Sequence, residues 1–360
     1  MASAANPTKD SGNSSLNAVS SNKHGSWAIP LLVVALVVVT LAALAIGAFP
    51  VSIGEIWSSI IHGITGQPQV DTAGSVLWDI RMPRVLLAIV VGACLASAGA
   101  IMQGIFANPL AEPAIVGVSS GAAVAAVVAI FLGLTALGTW MLPLAAFIGG
   151  IVVTFLVYSL SRVNGRSEVL TLVLVGIAVN AFAGALIGLI MSVSNDAQLR
   201  SITFWNLGSL STATWGSVLS VLPFAILGII AMPWLAHRLD LLALGERAAA
   251  HLGVDVESFR RWSIVLVAML TAAAVAVSGI IAFVGLVVPH TARLIVGPGH
   301  KLLLPVSALT GATLLVLADV ISRTAVEPRE IPIGVLTALV GAPVFFYLLR
   351  REHKRRGAFA

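Results

Sequence analysis

Residues 81–121, RMPRVLLAIVVGACLASAGAIMQGIFANPLAEPAIVGVSSG, decide the fold of this chain. Arg81 and Arg84 stand directly before an apolar run of about twenty residues, the length at which a helix spans the hydrocarbon core of a bilayer. Gly92 and Gly99 lie inside that run, and small residues let a second helix approach closely where lipid offers no hydrophobic drive. The sequence therefore predicts a membrane helix that starts at a water-facing surface and packs tightly against neighbours.

The apolar pattern breaks beyond Gln103. Asn108 and Pro109 interrupt it, and a second apolar segment begins after Pro113. Two interpretations are open. The break is either an ordinary cytoplasmic turn, which the residues alone favour, or a broken helix that lines a pathway, since unwound backbone in a bilayer survives only beside protein or a water-filled cavity.

Composition places the chain in the membrane. Hydrophobic residues make up 58% of it and charged residues 10%, and the mean hydropathy is +1.02, so a water-soluble globule is excluded. The single cysteine, Cys94, rules out a disulfide within the chain. Residues 1–26 are rich in Ser, Asn and Ala and have no apolar core, which predicts a disordered cytoplasmic tail. The basic residues are scattered among loops, so we expect no nucleic-acid partner.

Nine apolar segments are long enough to span a bilayer. They are residues 27–49, 84–104, 114–134, 140–160, 168–193, 216–237, 262–282, 302–322 and 332–350. Both ends of the chain are basic and are therefore expected in the cytoplasm, which an odd number of spans does not allow. A shorter tenth element is predicted at 286–297. The resulting prediction is an all-α polytopic membrane protein with ten transmembrane helices, a membrane domain at 27–350, and a basic cytoplasmic tail at 351–360.

The segment from Asp240 to Trp262 is the longest predicted cytoplasmic loop after the tail. Leu244, Ala248 and Leu252 fall near helical spacing within it, which predicts a short amphipathic helix. Such a helix either lies on the membrane surface or fits a groove in a soluble partner. The residues alone do not separate these two possibilities.

Few polar residues lie within the predicted spans. Asp319 and Arg323 are one helical turn apart, so we expect a structural ion pair. His290, which follows Pro289, is interpreted as a packing or hydrogen-bonding residue. The sequence has no HExxH or P-loop motif, so we expect no enzyme activity, no metal site and no bound cofactor. A role driven by ATP and Mg²⁺ would require a separate ATPase chain.

From Leu77 to Arg351 the chain resembles the FecCD family of ABC importer permeases, which carry iron complexes, haem and cobalamin. The motifs that support this resemblance are Arg81-Met82-Pro83-Arg84, Gln103, Asn108-Pro109-Leu110, Leu244-Gly245, Leu252-Gly253-Val254, Phe283-Val284-Gly285-Leu286, Pro289-His290, Asp319, Glu330-Ile331-Pro332-Ile333-Gly334 and Gly341-Ala342-Pro343. The resemblance implies the fold of a type II ABC importer permease. It also implies a homodimer with the pathway at its interface, two ATPase subunits, and an extracytoplasmic substrate-binding protein.

The resemblance also assigns roles to residues. It places the coupling helix, which contacts the ATPase, in the loop at about 240–254, and the matching residues are Leu244, Gly245, Glu246, Ala248, Leu252 and Gly253. It implies that Arg81, Arg84 and Arg329 meet acidic residues of the binding protein. It associates Asn180, Gln103 and Trp205 with the translocation pathway, and it makes Asn108, Pro109, Gly285, Pro289 and His290 structural.

Residues 196–205 and 245–254, the latter notably in having Glu246 and His251, are more similar to the haem-permease branch of the family than to the siderophore branch. The expected substrate is therefore haem, with a ferric siderophore as the alternative and cobalamin as the third choice. A proton- or sodium-driven secondary transporter is the main rival class, but it requires carboxylates in mid-membrane, and the predicted spans hold almost none besides Asp319. An intramembrane enzyme requires a polar catalytic pair, and none is visible. The expected location is the cytoplasmic (inner) membrane, with several passes.

Overall fold

The computed structural model of the chain describes residues 27–357, apart from residues 48, 50, 68, 70, 71, 164, 165 and 168. The long helices are α1 (Ala28–Ala45), α4 (Met82–Ile105), α5 (Val118–Phe131), α6 (Met141–Leu160), α7 (Val169–Ser192), α9 (Trp215–Leu242), α11 (Val256–Ser278), α12 (Val284–Val296), α13 (His300–Thr324) and α14 (Ile333–Gly357). The shorter helices are α2 (Ile53–Thr65), α3 (Thr72–Ser75), α8 (Asp196–Leu207) and α10 (Glu246–His251). The tail predicted at residues 1–26 lies outside the described residues.

Several short elements join these helices. One π-helical turn, Val76–Arg81, leads from α3 into α4, and 3₁₀ turns occupy Pro113–Val116 and Leu134–Leu137. Two-residue strands, β1 (Arg162–Val163) and β2 (Arg166–Ser167), form an antiparallel hairpin between α6 and α7. The all-α class predicted from the sequence is confirmed, since this hairpin is the one sheet in the described part of the chain.

Each of the ten predicted apolar segments contains a helix. Seven helical stretches of the described residues are long and apolar enough to cross a membrane, and three shorter apolar helices occupy Val118–Phe131, Val284–Val296 and Ile333–Leu348. The boundaries differ around the predicted loop at 240–262, because α9 continues to Leu242 and α11 already begins at Val256. α14 likewise runs through Gly357, past the predicted end at residue 350. The number of helices that cross the bilayer stays a prediction.

Helix α4 is the centre of the bundle, and α9, α11, α12 and α13 pack around it. In the continuous stretch Thr72–Ile105, 78% of the apolar window is buried, against 11% for α1 and for α7. Glycines allow the neighbouring helices to pack this closely against α4. A Cβ on Gly92 would lie 2.3 Å from the carbonyl oxygen of Gly311, and one on Gly99 would lie 1.8 Å from that of Gly285. The small residues quoted above thus set the contacts of α4 with α13 and α12.

Helices α2 and α8 lie outside the predicted segments. α2 begins at a capping box, in which Ser52 and Glu55 each bond the other's backbone N–H, and α8 begins at an equivalent box between Asn195 and Gln198. α2 packs through Gly63, which lies against the ring of Trp78. Both helices stand between longer helices of the bundle and extend the protein beyond the predicted spans.

Candidate functional site

A cluster of charged side chains ties together one end of the bundle. We call it the arginine cluster: Arg81, Arg84, Asp319, Arg323 and Glu330. The Nε of Arg84 donates to Asp319 Oδ1 at 2.8 Å, and its two Nη atoms donate to the two carboxylate oxygens of Glu330 at 2.8 and 2.9 Å. Two-point contacts of this kind are the strong form of the arginine–carboxylate interaction. Arg84 thereby joins α4, α13 and the connection between α13 and α14.

The other two arginines of the cluster close the C-terminal end of α1. Nη1 of Arg81 donates to the carbonyl oxygens of Leu44 at 2.6 Å and Ala45 at 3.2 Å, and Arg323 donates to that of Ala43. The last carbonyls of a helix lack partners within the helix and carry partial negative charge, so guanidinium groups stabilise them. The two side chains therefore fix α1 against α4 and α13.

The predicted pair of Asp319 and Arg323 is present, with 3.7 Å between Oδ2 of the carboxylate and Nε of the guanidinium. The closer partner of Asp319 is Arg84. The two residues are far apart in the sequence, so no local pattern predicts their contact. The carboxylate is completely buried. A buried charge needs such partners, because desolvation of an isolated ion costs several kcal/mol.

The three arginines predicted to contact a binding protein differ in exposure. Arg81 is 5% and Arg84 is 7% exposed, and both guanidinium groups contact other residues of this chain. Arg329 is exposed in the α13–α14 connection, where its backbone pairs with Val326. In this conformation Arg329 presents a charge to solvent, whereas Arg81 and Arg84 bind the interior of the protein. The docking role of the three residues stays a prediction.

The connection between α9 and α11, residues 243–255, carries the residues predicted to contact an ATPase. Gly245 has a φ of +102°, which a residue with a Cβ rarely adopts, and it turns the chain into α10. Leu244 and Leu252 on either side of α10 are 65% and 59% exposed, while Ala249 is completely buried. The predicted short helix is therefore present, with one small side chain facing the bundle and two leucines facing away from it.

A polar contact between α9 and α13 fixes the start of the α9–α11 connection. Asp240, near the end of α9, accepts hydrogen bonds at Oδ1 from the backbone N–H of His300 at 2.8 Å and contacts His300 Nδ1 at 2.8 Å. His300 is the first residue of α13, whose other end carries Asp319 and Arg323. The α9–α11 connection and the arginine cluster therefore lie at opposite ends of the bundle, as the predicted topology requires.

The break after α4 is a folded-back segment. The side-chain oxygen of Asn108 accepts the backbone N–H of Leu110 at 2.9 Å, and the chain then enters the 3₁₀ turn at Pro113. The amide nitrogen of Asn180 donates to the carbonyl oxygen of Ala114 at 3.3 Å. Because Asn180 lies three turns into α7, the segment lies well along that helix and α5 starts late. This arrangement fits the broken-helix interpretation.

The backbone at Gly117 and Phe283 marks the starts of α5 and α12. Both residues have a left-handed backbone conformation, with φ of +79° at Gly117 and +68° at Phe283, and a positive φ is unusual for phenylalanine. Glu112, which precedes the 3₁₀ turn, accepts a hydrogen bond from the Phe283 backbone N–H. Burial raises the pKa of the Glu112 carboxyl, and the Phe283 hydrogen bond opposes that rise. The carboxylate thus connects the two interrupted helices, a role that the sequence analysis missed.

The remaining predicted site residues lie in packed contacts. The amide nitrogen of Gln103 donates to the carbonyl oxygen of Leu286 at 3.0 Å, which joins α4 to α12. Trp205 lies in α8, partly buried, and its backbone carbonyl closely approaches Gly279. Pro289 and His290 are buried in α12. Within the described part of the chain, no group of three His, Cys, Asp or Glu side chains is placed to hold a metal ion.

The fold and these contacts define a class, a helical membrane protein with an interrupted central bundle and an exposed apolar connection at one end. The chain belongs to the FecCD transport family, whose model matches residues 35–351. It is a membrane-spanning subunit of an ABC importer, and in this class ATP hydrolysis belongs to separate chains.

Known relatives agree with this assignment. The chain is 41% identical over 338 residues to the hemin transport system permease protein HmuU of Yersinia pestis, covering 90% of this chain and 96% of that one. It is 44% identical over 287 residues to the cobalamin import system permease protein BtuC of Halobacterium salinarum, covering 79% and 76%. A solved inward-facing structure of an ABC transporter assigned to the metal-chelate type matches with a TM-score of 0.78 and 36% identity, covering 91% of this chain and 99% of that one.

Proposed function

We propose that this chain is the permease subunit of an ATP-driven importer that carries haem across the cytoplasmic membrane. The main support is the 41% identity, over nearly the whole of both chains, to a hemin permease. A ferric siderophore is the alternative cargo and cobalamin the third, the latter supported by the 44% identical cobalamin permease. All three are bulky metal chelates, so one mechanism serves each of them.

In this proposal two copies of the chain enclose the pathway, with both termini in the cytoplasm. A loaded binding protein docks at the end that carries the arginine cluster, and the exposed Arg329 attracts its acidic residues. Two ATPase subunits bind the opposite end through Leu244 and Leu252, which expose more than half of their surface. ATP binding and hydrolysis in those subunits then switch the pathway between its outward and inward openings.

The residues next to the pathway are assigned on the same basis. Asn180 holds the carbonyl of Ala114, so a movement of α7 is transmitted to the interrupted segment before α5. Gln103 joins α4 to α12 in a similar way. Trp205 lies in α8, the helix that follows α7 in the chain. In the proposal these contacts rearrange when the pathway changes its opening.

Uptake into proteoliposomes tests the proposal. The chain is reconstituted with its ATPase subunit, and binding protein loaded with haem, a ferric hydroxamate siderophore or cobalamin is added together with Mg²⁺ and ATP. We expect ATP-dependent accumulation of haem above the other two. Preferential uptake of another chelate would change the cargo and keep the class. Uphill uptake without the ATPase, driven by a proton or sodium gradient, would instead establish the secondary transporter.

A further inference from the structure

Arg260 is a buried cation next to the α9–α11 connection. Its side chain is 5% exposed and lies in the first turns of α11. A positive charge is unfavourable near a helix N-terminus, where the unpaired N–H groups already carry partial positive charge. Burial adds a desolvation cost, and a buried ion pair often contributes little to stability compared with apolar residues of the same size. Fold stability alone therefore gives little reason for arginine at this position.

The partner of Arg260 lies on the coupling helix. Nη2 of Arg260 contacts Oε1 of Glu246, the first residue of α10, in a close ion pair. α10 has six residues and buries one alanine, Ala249, so apolar packing attaches it only weakly to the bundle. The glycines on both sides, Gly245 and Gly253, allow it to pivot. The ion pair is thus a directional contact between a small, weakly packed helix and the bundle.

The contacts continue from Arg260 towards the interrupted segment. Glu257, one turn earlier on α11, lies 3.9 Å from Nη1 of Arg260 and accepts a hydrogen bond from the hydroxyl of Tyr158 at 2.9 Å. Tyr158 is near the end of α6, and α6 packs along α5. At the start of α5, a Cβ on Gly117 would lie 3.0 Å from the Val153 side chain of α6. A continuous set of polar and packing contacts therefore joins α10 to the break before α5.

We infer that Arg260 is a positioning residue for coupling: it attaches α10 to α11 through Glu246, so that a displacement of α10 by the ATPase moves α11 and α6. This inference rests on the proposed function. It assigns to Glu246 a second role, since one carboxylate oxygen contacts Arg260 while Leu244 and Leu252 are exposed for the ATPase. Loss of the attachment uncouples the two ends of the protein, because α10 then moves without moving the bundle.

Arg260→Gln in the full complex tests this inference, with Arg261→Gln as the matched control. Arg261 is the next residue, carries the same charge and is exposed. Haem uptake and ATP hydrolysis are measured in the same proteoliposomes. Coupling energies between sites correspond to factors of about 5 to 150. We therefore expect Arg260→Gln to lower the ratio of haem taken up to ATP hydrolysed about tenfold. ATPase copurification should persist, Arg261→Gln should match the wild type, and Arg260→Lys should restore part of the coupling.

A double-mutant cycle shows whether the two residues act through each other. Glu246→Gln alone should cause a similar loss, and Glu246→Gln with Arg260→Gln should be no worse than either single variant. If Arg260→Gln fails to assemble, Glu246→Gln decides, because Glu246 is 62% exposed and leaves the buried arginine in place. A wild-type ratio of uptake to ATP in the assembled variants, or additive losses, would overturn the attachment while leaving the importer intact. Absence of ATP-dependent uptake by the wild type would instead overturn the proposed function, and the attachment with it.

Discussion

At the scale of single residues, burial separates charges that hold the fold from charges offered to a partner. Arg84 and Arg329 are both basic, both predicted to contact a binding protein, and both on the same end of the bundle. Arg84 is buried between Asp319 and Glu330, whereas Arg329 is exposed. Substitution of Arg84 should therefore lower the stability of the fold, whereas substitution of Arg329 should weaken docking of the binding protein.

Arg84→Gln should cost about 3 kcal/mol of stability, because it leaves the Asp319 carboxylate buried without its closest partner. Arg84→Lys should recover little of this, since an ammonium group does not reproduce the two-point contact with Glu330. Thermal unfolding of the detergent-solubilised protein measures the loss. Arg329→Gln is the control for unfolding and should leave the midpoint unchanged, while it weakens binding-protein docking most at low salt. An unfolding midpoint of Arg84→Gln equal to that of the wild type would contradict the structural role.

Glu112→Gln should change the dependence of stability on pH. The pKa of this carboxyl is raised by burial, so the folded protein holds the proton to higher pH than the unfolded chain does. Its contribution to stability is therefore fully present below the ordinary carboxyl pKa and is lost as pH rises through the raised one. Glutamine still accepts the Phe283 hydrogen bond and does not titrate. From weakly acidic to neutral pH, the unfolding midpoint of the wild type should fall relative to that of the variant, and parallel curves would exclude the effect.

At the scale of helices, apolar length and glycine position determined most of the prediction. The ten apolar segments each contain a helix because membrane helices need a long uniform run, which a sequence displays directly. α2 and α8 were missed because, at 13 and 12 residues, they are shorter than a membrane span. Their capping boxes, Ser52 with Glu55 and Asn195 with Gln198, were the available signals.

The polar contacts between helices were the least predictable part of the site. Arg84 and Glu330 are 246 positions apart, and Glu112 meets Phe283 only because two interrupted helices begin side by side. No local pattern encodes such a pairing. The motif residues themselves were recognisable, but their partners required the packed structure. This is also why the sequence left the break after α4 open between a turn and a broken helix.

Gly92→Leu should disrupt the central helix pair. A Cβ at this position would lie 2.3 Å from the carbonyl oxygen of Gly311, so any side chain forces α4 and α13 apart. Overpacking of this kind costs about 3 kcal/mol, and we expect a lower unfolding midpoint and poor recovery from the membrane. Gly216→Ala is the matched control, because its nearest neighbouring atom is the Thr214 hydroxyl at 3.6 Å. Equal stability of the two variants would show that the glycine contact is dispensable.

At the scale of the whole molecule, α7, like α1, lacks packing partners within the chain on most of its surface. α7 has 11% of its apolar window buried, and Leu174, Ile177 and Phe182 are each more than half exposed. The same helix holds the interrupted segment through Asn180 and Ala114. In the proposed homodimer, α7 therefore borders the pathway between the two copies, and the second copy covers part of this surface.

Cross-linking tests this assembly. Phe182→Cys on α7 and Phe155→Cys on α6 replace equally exposed phenylalanines, 71% and 72%, so lipid exposure alone treats them alike. Because a two-fold interface brings a residue near the axis close to its own copy, Phe182→Cys should give a covalent dimer with a short bis-thiol reagent in membranes, and Phe155→Cys should not. The native Cys94 is 2% exposed, and the unmodified chain gives its background. Equal cross-linking at both positions, or none at Phe182→Cys in a complex that transports its substrate, would place the interface on another helix.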